Sequence, residues 1–147
     1  MIAVLQRTSN ASVSVKDKII GQIKDGVVVL LGVKRGDLHK ESEYLAQKVS
    51  KLRIFNDEQN KMNLSLGDIS GSVLVISQFT LCADTRKGRR PSFVNAESPE
   101  LSKKLYNKFI SCLADKGLEV QSGEFGSNMD VKLVNNGPVT FVLDSDD

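Results

Sequence analysis

Histidine is almost missing from this sequence. His39 is the single imidazole among 147 residues, and only two cysteines, Cys82 and Cys112, accompany it. These three residues fall short of the four Cys or His ligands that a structural zinc site takes. A Ser-His-Asp or Cys-His triad could be built only around His39, which lies just after Gly36-Asp37 at the start of an expected helix. A solvated helix histidine is the simpler reading. No metal and no cofactor is expected, although the 18 acidic residues leave an all-carboxylate site formally open. The two cysteines make no disulfide framework and read as reduced thiols. Long apolar runs are missing too: Val27 to Val33 is broken by Gly32 and is far shorter than the roughly 20 residues of a spanning helix. Arg7 interrupts the start, and no apolar stretch follows a basic opening as in a signal peptide. The expected compartment is the cytoplasm, with no membrane partner. Nor does one sign of charge dominate: 20 basic against 18 acidic residues give +2, and nothing global announces a nucleic-acid partner.

What remains is an ordinary globular composition, 40% hydrophobic and 26% charged. A chain of this length buries about 68–70% of its unfolded surface and needs no staples. One α+β domain over residues 1–147 is expected. Ile2–Gln6 and the alternating Ala11–Val15 read as strands, Lys16-Asp17-Lys18 as a turn, and Ile19–Ile23 as a third strand. Asp25-Gly26 is a hairpin signal before Val27–Val33, whose apolar character on both faces predicts a covered central strand. Asp37 is a fair N-cap for a first helix, with Leu38, Leu45, Val49 and Leu52 on one stripe. Arg53-Ile54-Phe55 reads as a short strand, Asn56–Gly71 as a long loop, and Val73–Ile76 as another covered strand ending in Ser77-Gln78-Phe79-Thr80-Leu81. The second helix is capped by Ser98, with Pro99 and Glu100 in its first turn, a Leu101, Leu105, Phe109, Leu113 stripe, and Gly117 as its stop. Leu118–Ser122, Met129–Asn135 and Val139–Leu143 are expected as three closing strands, the last two joined by Asn136-Gly137-Pro138.

Three segments could carry chemistry. Polar residues in Ser77–Leu81 fit a strand leaving the core. They also fit a pocket wall, where freed backbone N–H groups would suit an oxyanion because they are fixed and need no titration. Asn136-Gly137-Pro138 reads as a hairpin connection. Equally, Gly137 permits close backbone approach and Pro138 a cis peptide, so a rigid tip could present carbonyl oxygens as acceptors. Arg86, Lys87, Arg89 and Arg90 crowd a loop containing Gly88 and followed by Pro91. They are either solvated surface or phosphate contacts, possible extensions being Lys103, Lys104 and Lys108. Phe93 and Tyr106 are the only aromatic neighbours, which gives base stacking little support.

Ser77-Gln78-Phe79-Thr80-Leu81 together with Asn135-Asn136-Gly137-Pro138-Val139-Thr140 resembles the motif pair of the D-aminoacyl-tRNA deacylases, the D-Tyr-tRNA deacylase family. The similarity extends to Ile2–Arg7, to Lys87-Gly88-Arg89-Arg90-Pro91-Ser92-Phe93, and to Gly123-Glu124-Phe125-Gly126 leading to Met129. It implies a compact β/β/α domain with mixed sheets and two main helices, working as a cytosolic homodimer. The implied activity is hydrolysis of the ester between a D-amino acid and the 3′ end of tRNA, and of glycine mischarged onto alanine tRNA. Ser77, Gln78, Phe79 and Thr80 inherit the catalytic region. Gly137 and Pro138, as a cis pair reaching into the partner's pocket, inherit substrate binding and chiral selection with Arg7 and Met129. Arg86, Lys87, Arg89 and Arg90 would bind tRNA; no DNA partner is implied.

With so few imidazoles, the chemistry has to come from elsewhere. Aminoacyl esters are already activated, and the terminal adenosine offers a neighbouring 2′-hydroxyl, so positioning and an oxyanion site could suffice. Thr80 is a possible nucleophile for which the sequence provides no base. The rivals are a small-molecule esterase using Thr80 directly and an RNA-binding module that leaves the ester intact.

Overall fold

The computed structural model describes residues 1–147. Its elements are β1 (Ile2–Val15), β2 (Lys18–Ile23), β3 (Gly26–Gly32), α1 (His39–Lys51), β4 (Phe55–Asn56), β5 (Met62–Leu64), β6 (Ser72–Ser77), α2 (Pro99–Ala114), β7 (Glu119–Ser122) and β8 (Asp130–Asp144). A 3-10 turn, Phe79–Cys82, follows β6.

The parallel pair β3 and β6 is the centre, with Val27 opposite Val73 and Leu31 opposite Ser77. Strand β7 extends it in parallel from β6, and β1 flanks β3 antiparallel. Both central strands are apolar throughout because both faces are covered. Val27, Val29, Val73 and Val75 pack with Leu45 and Val49 of α1 and with Leu105 and Phe109 of α2. The alternate residues Val28, Leu74 and Ile76 meet Ala11, Val13 and Ile23 instead. Helices, central sheet and a second β layer therefore stack in the expected α+β order.

Two pairs of expected strands turn out to be single strands. Ile2–Gln6 and Ala11–Val15 are both β1, in which register shifts against β8 fall between Gln6 and Thr8 and between Thr8 and Asn10. Those shifts break the alternation, so that Arg7 and Thr8 are buried side by side. Ala3 and Leu5 belong to the helix-side core, and Ala11 and Val13 to the second one. Likewise Met129–Asn135 and Val139–Leu143 fuse into β8, and Asn136-Gly137-Pro138 is no hairpin connection. Asn135 lies opposite Thr8 and Thr140 opposite Gln6, so five steps on β8 (140 − 135) face two on β1 (8 − 6). The three surplus residues are thrown out as a bulge.

Helix α1 begins one residue later than expected, capped at Leu38, whose N–H donates to the Glu41 carboxylate at 2.8 Å. Leu38 is exposed and leaves the apolar stripe to Leu45 and Val49. Asp37 is occupied elsewhere, accepting from the Met1 ammonium at 2.8 Å and the Lys34 N–H at 2.6 Å. The expected strand Arg53-Ile54-Phe55 is displaced to β4, which pairs with β5 inside the expected loop Asn56–Gly71, and that segment also holds the fully buried Leu66. Helix α2 and β7 lie where the sequence predicts.

The acidic end of the chain acts as a latch. Lys34 Nζ lies 2.5 Å from both Asp144 and Asp146, and the Ser145 N–H donates to the Met1 carbonyl at 2.9 Å. Burial works to raise the Asp144 carboxyl, but hydrogen bonds from Lys34 and from the Asp146 N–H outweigh it and hold the group below its usual range. A carboxyl depressed on folding stabilises above its unfolded pKa, about 3.9 for aspartate, and that contribution vanishes as pH falls through the folded value. Asp144→Asn is therefore expected to lower stability by about 1 kcal/mol at neutral pH. In urea unfolding followed by circular dichroism, the difference from the parent should close below about pH 4. A gap unchanged down to pH 2.5, roughly a unit below the aspartate value, would show that the latch is not electrostatic.

Candidate active site

The parallel strands end at the cleft. Ser77 closes β6 opposite Leu31, and the Gln78 N–H still donates to the Leu31 carbonyl at 2.8 Å. The chain then winds into the 3-10 turn, pressed against β3 where Gly32 leaves little room for a side chain. A Cβ on Gly32 would lie 3.0 Å from the Gln78 carbonyl oxygen, 3.1 Å from Leu81 Cβ and 3.2 Å from Cys82 Sγ. Cys82 is buried with its thiol on the Val33 carbonyl, and burial pushes that thiol up, so it is a plug rather than a nucleophile. The Leu81 N–H donates to the Gln78 carbonyl at 3.2 Å. The N–H groups of Phe79 and Thr80 open the turn, a position with no intrahelical acceptor.

A cleft of about 500 Å³ lies beyond these strand ends, where open parallel sheets commonly hold ligands. Ser77, Gln78 and Phe79 form one wall, Tyr106 of α2 another, and Phe125 and Met129 a third. The Tyr106 hydroxyl donates to the Val75 carbonyl at 2.8 Å, and burial pushes its pKa up to about 12, so it is a neutral wall. Phe79 and Phe93 meet edge to face with centroids 4.9 Å apart, both partly in solvent. Thr80 is exposed and outside the lining, and its hydroxyl accepts from the Gln78 side-chain amide. An amide takes no proton and cannot serve as its base. His39 is exposed at the first turn of α1, and no three His, Cys, Asp or Glu side chains converge as metal ligands.

The β8 bulge is built separately. Arg7, only 8% exposed, donates from Nε to the Asn136 carbonyl at 3.1 Å. Its Nη1 donates to the Ile54 carbonyl at 2.8 Å and to Asn56 Oδ1 at 3.1 Å. Asn135 braces the base, accepting from the Val139 N–H at 3.1 Å and donating to Thr140 Oγ1 at 2.9 Å. Gly137 has φ +124°, and a Cβ there would fall 2.7 Å from Val139 Cγ2 and 3.0 Å from the Arg7 guanidinium. The Gly137–Pro138 peptide is cis. Both residues are exposed, and neither lines the cleft of its own chain.

A model of the D-Tyr-tRNA(Tyr) deacylase family matches residues 4–144. This chain belongs to that family. The D-aminoacyl-tRNA deacylase of Thermosipho africanus is 52% identical over 145 residues, covering 99% of this chain and 97% of the relative. That of Thermotoga petrophila is 54% identical with the same coverage. Among solved structures, a c-Myc DNA Unwinding Element Binding Protein superposes with a TM-score of 0.92 at 38% identity, over 98% of both chains. A probable eukaryotic D-amino acid tRNA deacylase superposes at 0.83 over 97% of both, and at 18% identity this likeness concerns the fold alone.

In this member of the deacylase family the residues singled out from sequence fall into three places. Ser77, Gln78, Phe79 and Met129 share the cleft, and Thr80, exposed, lies outside its lining. Arg7 joins Gly137 and Pro138 at the bulge. The cationic loop stands apart from both, closed by Asp84 and Ser92, which exchange backbone hydrogen bonds of 2.7 and 2.9 Å. Within it Arg86 is tied to Asp84, whereas Lys87, Arg89 and Arg90 are exposed and form no ion pair. On α2, Lys104 pairs with Glu100 and Lys108 with Glu43, which leaves Lys103 without an ion pair. Sequence reasoning missed Tyr106, which neighbours the α2 core stripe, and Phe125, in the glycine-bearing connection after β7, as cleft walls. It also missed Asn135 and the Asn136 carbonyl as fixtures of the bulge.

Proposed function

We propose that this chain hydrolyses the ester joining a D-amino acid to the 3′ end of tRNA, releasing free tRNA and the amino acid, and that it clears glycine mischarged onto alanine tRNA. The observation that carries the reading is the 52% identity, across 99% of this chain, to a relative named D-aminoacyl-tRNA deacylase. The chemistry of the cleft supports it. Water adds to the ester carbonyl, and the oxygen that becomes anionic is received by the Phe79 and Thr80 N–H groups, fixed by the turn and needing no proton exchange. The leaving ribose oxygen takes up a proton as the tetrahedral adduct collapses, and the adjacent 2′-hydroxyl assists that traffic. Ser77 and Gln78 position the substrate.

Gly137 and Pro138 complete the cleft of a second copy in a two-fold homodimer, where their carbonyls hold the substrate α-amino group and their backbone excludes an L side chain. Two features favour this arrangement: the pair is exposed on its own chain, and Val134 and Val142 beside it are 50% and 68% exposed on the same strand. Lys87, Arg89 and Arg90 meet the tRNA backbone, and the cytoplasm is the compartment where such a substrate is found.

The test is loss of the ester from D-Tyr-tRNA on incubation with the protein, beside a D-tyrosine methyl ester control. Rapid loss from tRNA with slow loss from the methyl ester is expected, from a species sedimenting as a dimer. Binding without hydrolysis would favour an RNA-binding module, and equal turnover of both esters a small-molecule esterase.

A further inference from the structure

We infer that Asp84 and Arg86 are positioning residues that shape a phosphate cradle from Lys87, Arg89 and Arg90, Arg86 itself being no phosphate contact. The inference rests on the deacylase reading above. Arg86 turns its fork back onto its own loop: Nε donates to Asp84 Oδ1 at 2.9 Å and Nη2 to Oδ2 at 2.7 Å. Its backbone N–H donates to the same Oδ1 at 3.0 Å. Hydrogen bonding from Arg86 holds the Asp84 carboxyl far below the usual range, so the clip stays ionised wherever the protein is assayed.

Charge decides the role. Asp84 cancels Arg86, and a phosphate seated on that guanidinium would sit beside a carboxylate. The next residues carry three cations with no counter-ion, and Gly88, at φ +71°, turns the chain between them with open space where a Cβ would be. The Asp84–Ser92 bridge closes the loop, and the residue after it, Phe93, packs on Phe79 of the cleft wall. The cradle is thereby referenced to the reacting end: a phosphodiester held by Lys87, Arg89 and Arg90 belongs to the strand whose terminal ester enters the cleft. A clip of this kind needs the planar two-pronged fork of arginine, which lysine does not provide.

The experiment compares R86K, D84N/R86Q and R89A/R90A with the parent. Two readouts are taken: the salt dependence of binding to uncharged tRNA, and kcat/KM on D-Tyr-tRNA relative to D-tyrosyl-adenosine, which has no phosphate. R89A/R90A should flatten the plot of log affinity against log salt by about 1.4, at roughly 0.7 per single-strand phosphate contact. R86K and the charge-neutral double variant should keep the parental slope, while the tRNA-to-adenosine ratio falls about fivefold, as for the loss of one well-formed exposed pair. A parental ratio in R86K, or a slope loss in D84N/R86Q equal to one phosphate contact, would overturn the clip and make Arg86 a direct contact. A parental ratio in the double variant would also overturn it. An inactive parent would refute the deacylase reading instead, and the binding slopes would still decide the clip.

Discussion

Replacing the terminal 2′-hydroxyl of D-Tyr-tRNA with hydrogen is expected to slow hydrolysis by about 100- to 10,000-fold, the range of a positioned acid–base group. Thr80→Ala should cost only a few-fold, through lost packing beside Phe79. The contrast follows from what surrounds the threonine. Its hydroxyl is bonded to the Gln78 amide, and the one imidazole of the chain is on the surface at the start of α1. Of the titratable groups in the cleft wall, Tyr106 is held neutral by burial, and Glu97 is held ionised, below its usual range, by the Ser98 and Gly36 N–H groups. No protein group in the cleft is poised to exchange a proton near pH 7, so the substrate has to bring its own. His39→Ala should be silent. Single-turnover rates on the normal and 2′-deoxy substrates, with mass spectrometry of the protein quenched mid-reaction, decide the matter. An acyl group on Thr80, or full activity on the 2′-deoxy ester, would establish the threonine esterase.

The second large effect concerns handedness. D-Tyr-tRNA should be hydrolysed about 5- to 150-fold faster than L-Tyr-tRNA, since a side chain forced into filled space costs about 1–3 kcal/mol. Glycine, with no side chain, should be accepted. The bulge to which the proposal assigns this selection is held in shape by Arg7, whose guanidinium lies 3.0 Å from where a Gly137 Cβ would be. Gly137→Ala would place that methyl against Val139 and Arg7 and strain a backbone at φ +124°. It should cut D-Tyr-tRNA hydrolysis about tenfold or more, in line with about 1–3 kcal/mol of strain. Equal rates on the two enantiomers in the parent would remove any role for the bulge in selection.

The sequence is most legible where neighbours along the chain decide the structure. Val27–Val33 and Val73–Ile76 announce strands covered on both faces, and the α2 stripe with its Ser98-Pro99 start needs no tertiary knowledge. The motif pair also points to two segments that the fold sets apart, Phe79 in the cleft wall and Gly137-Pro138 in the bulge. What escapes is non-local. Asn136-Gly137-Pro138 has the composition of a hairpin turn, and only the register of β8 on β1 reveals a bulge. Arg7 and Thr8 fall between the two expected strands, and burying a guanidinium there makes sense only once the Ile54, Asn56 and Asn136 acceptors are known. Asp37 looks like a cap until the Met1 ammonium takes it. The four cations of the 84–92 loop look equivalent in sequence, and geometry separates Arg86 from the rest.

The bulge on β8 is anchored at both ends in a paired strand, by Asn135 opposite Thr8 and Thr140 opposite Gln6. If the bulge selects as proposed, an element mounted this way needs no hinge. Its ordering is complete when the sheet folds, so no part of the binding free energy is diverted to shaping it. Discrimination should then be in force from the first encounter, without a slow isomerisation between binding and cleavage. On the proposed function, an L-aminoacyl end would then leave as quickly as it arrives.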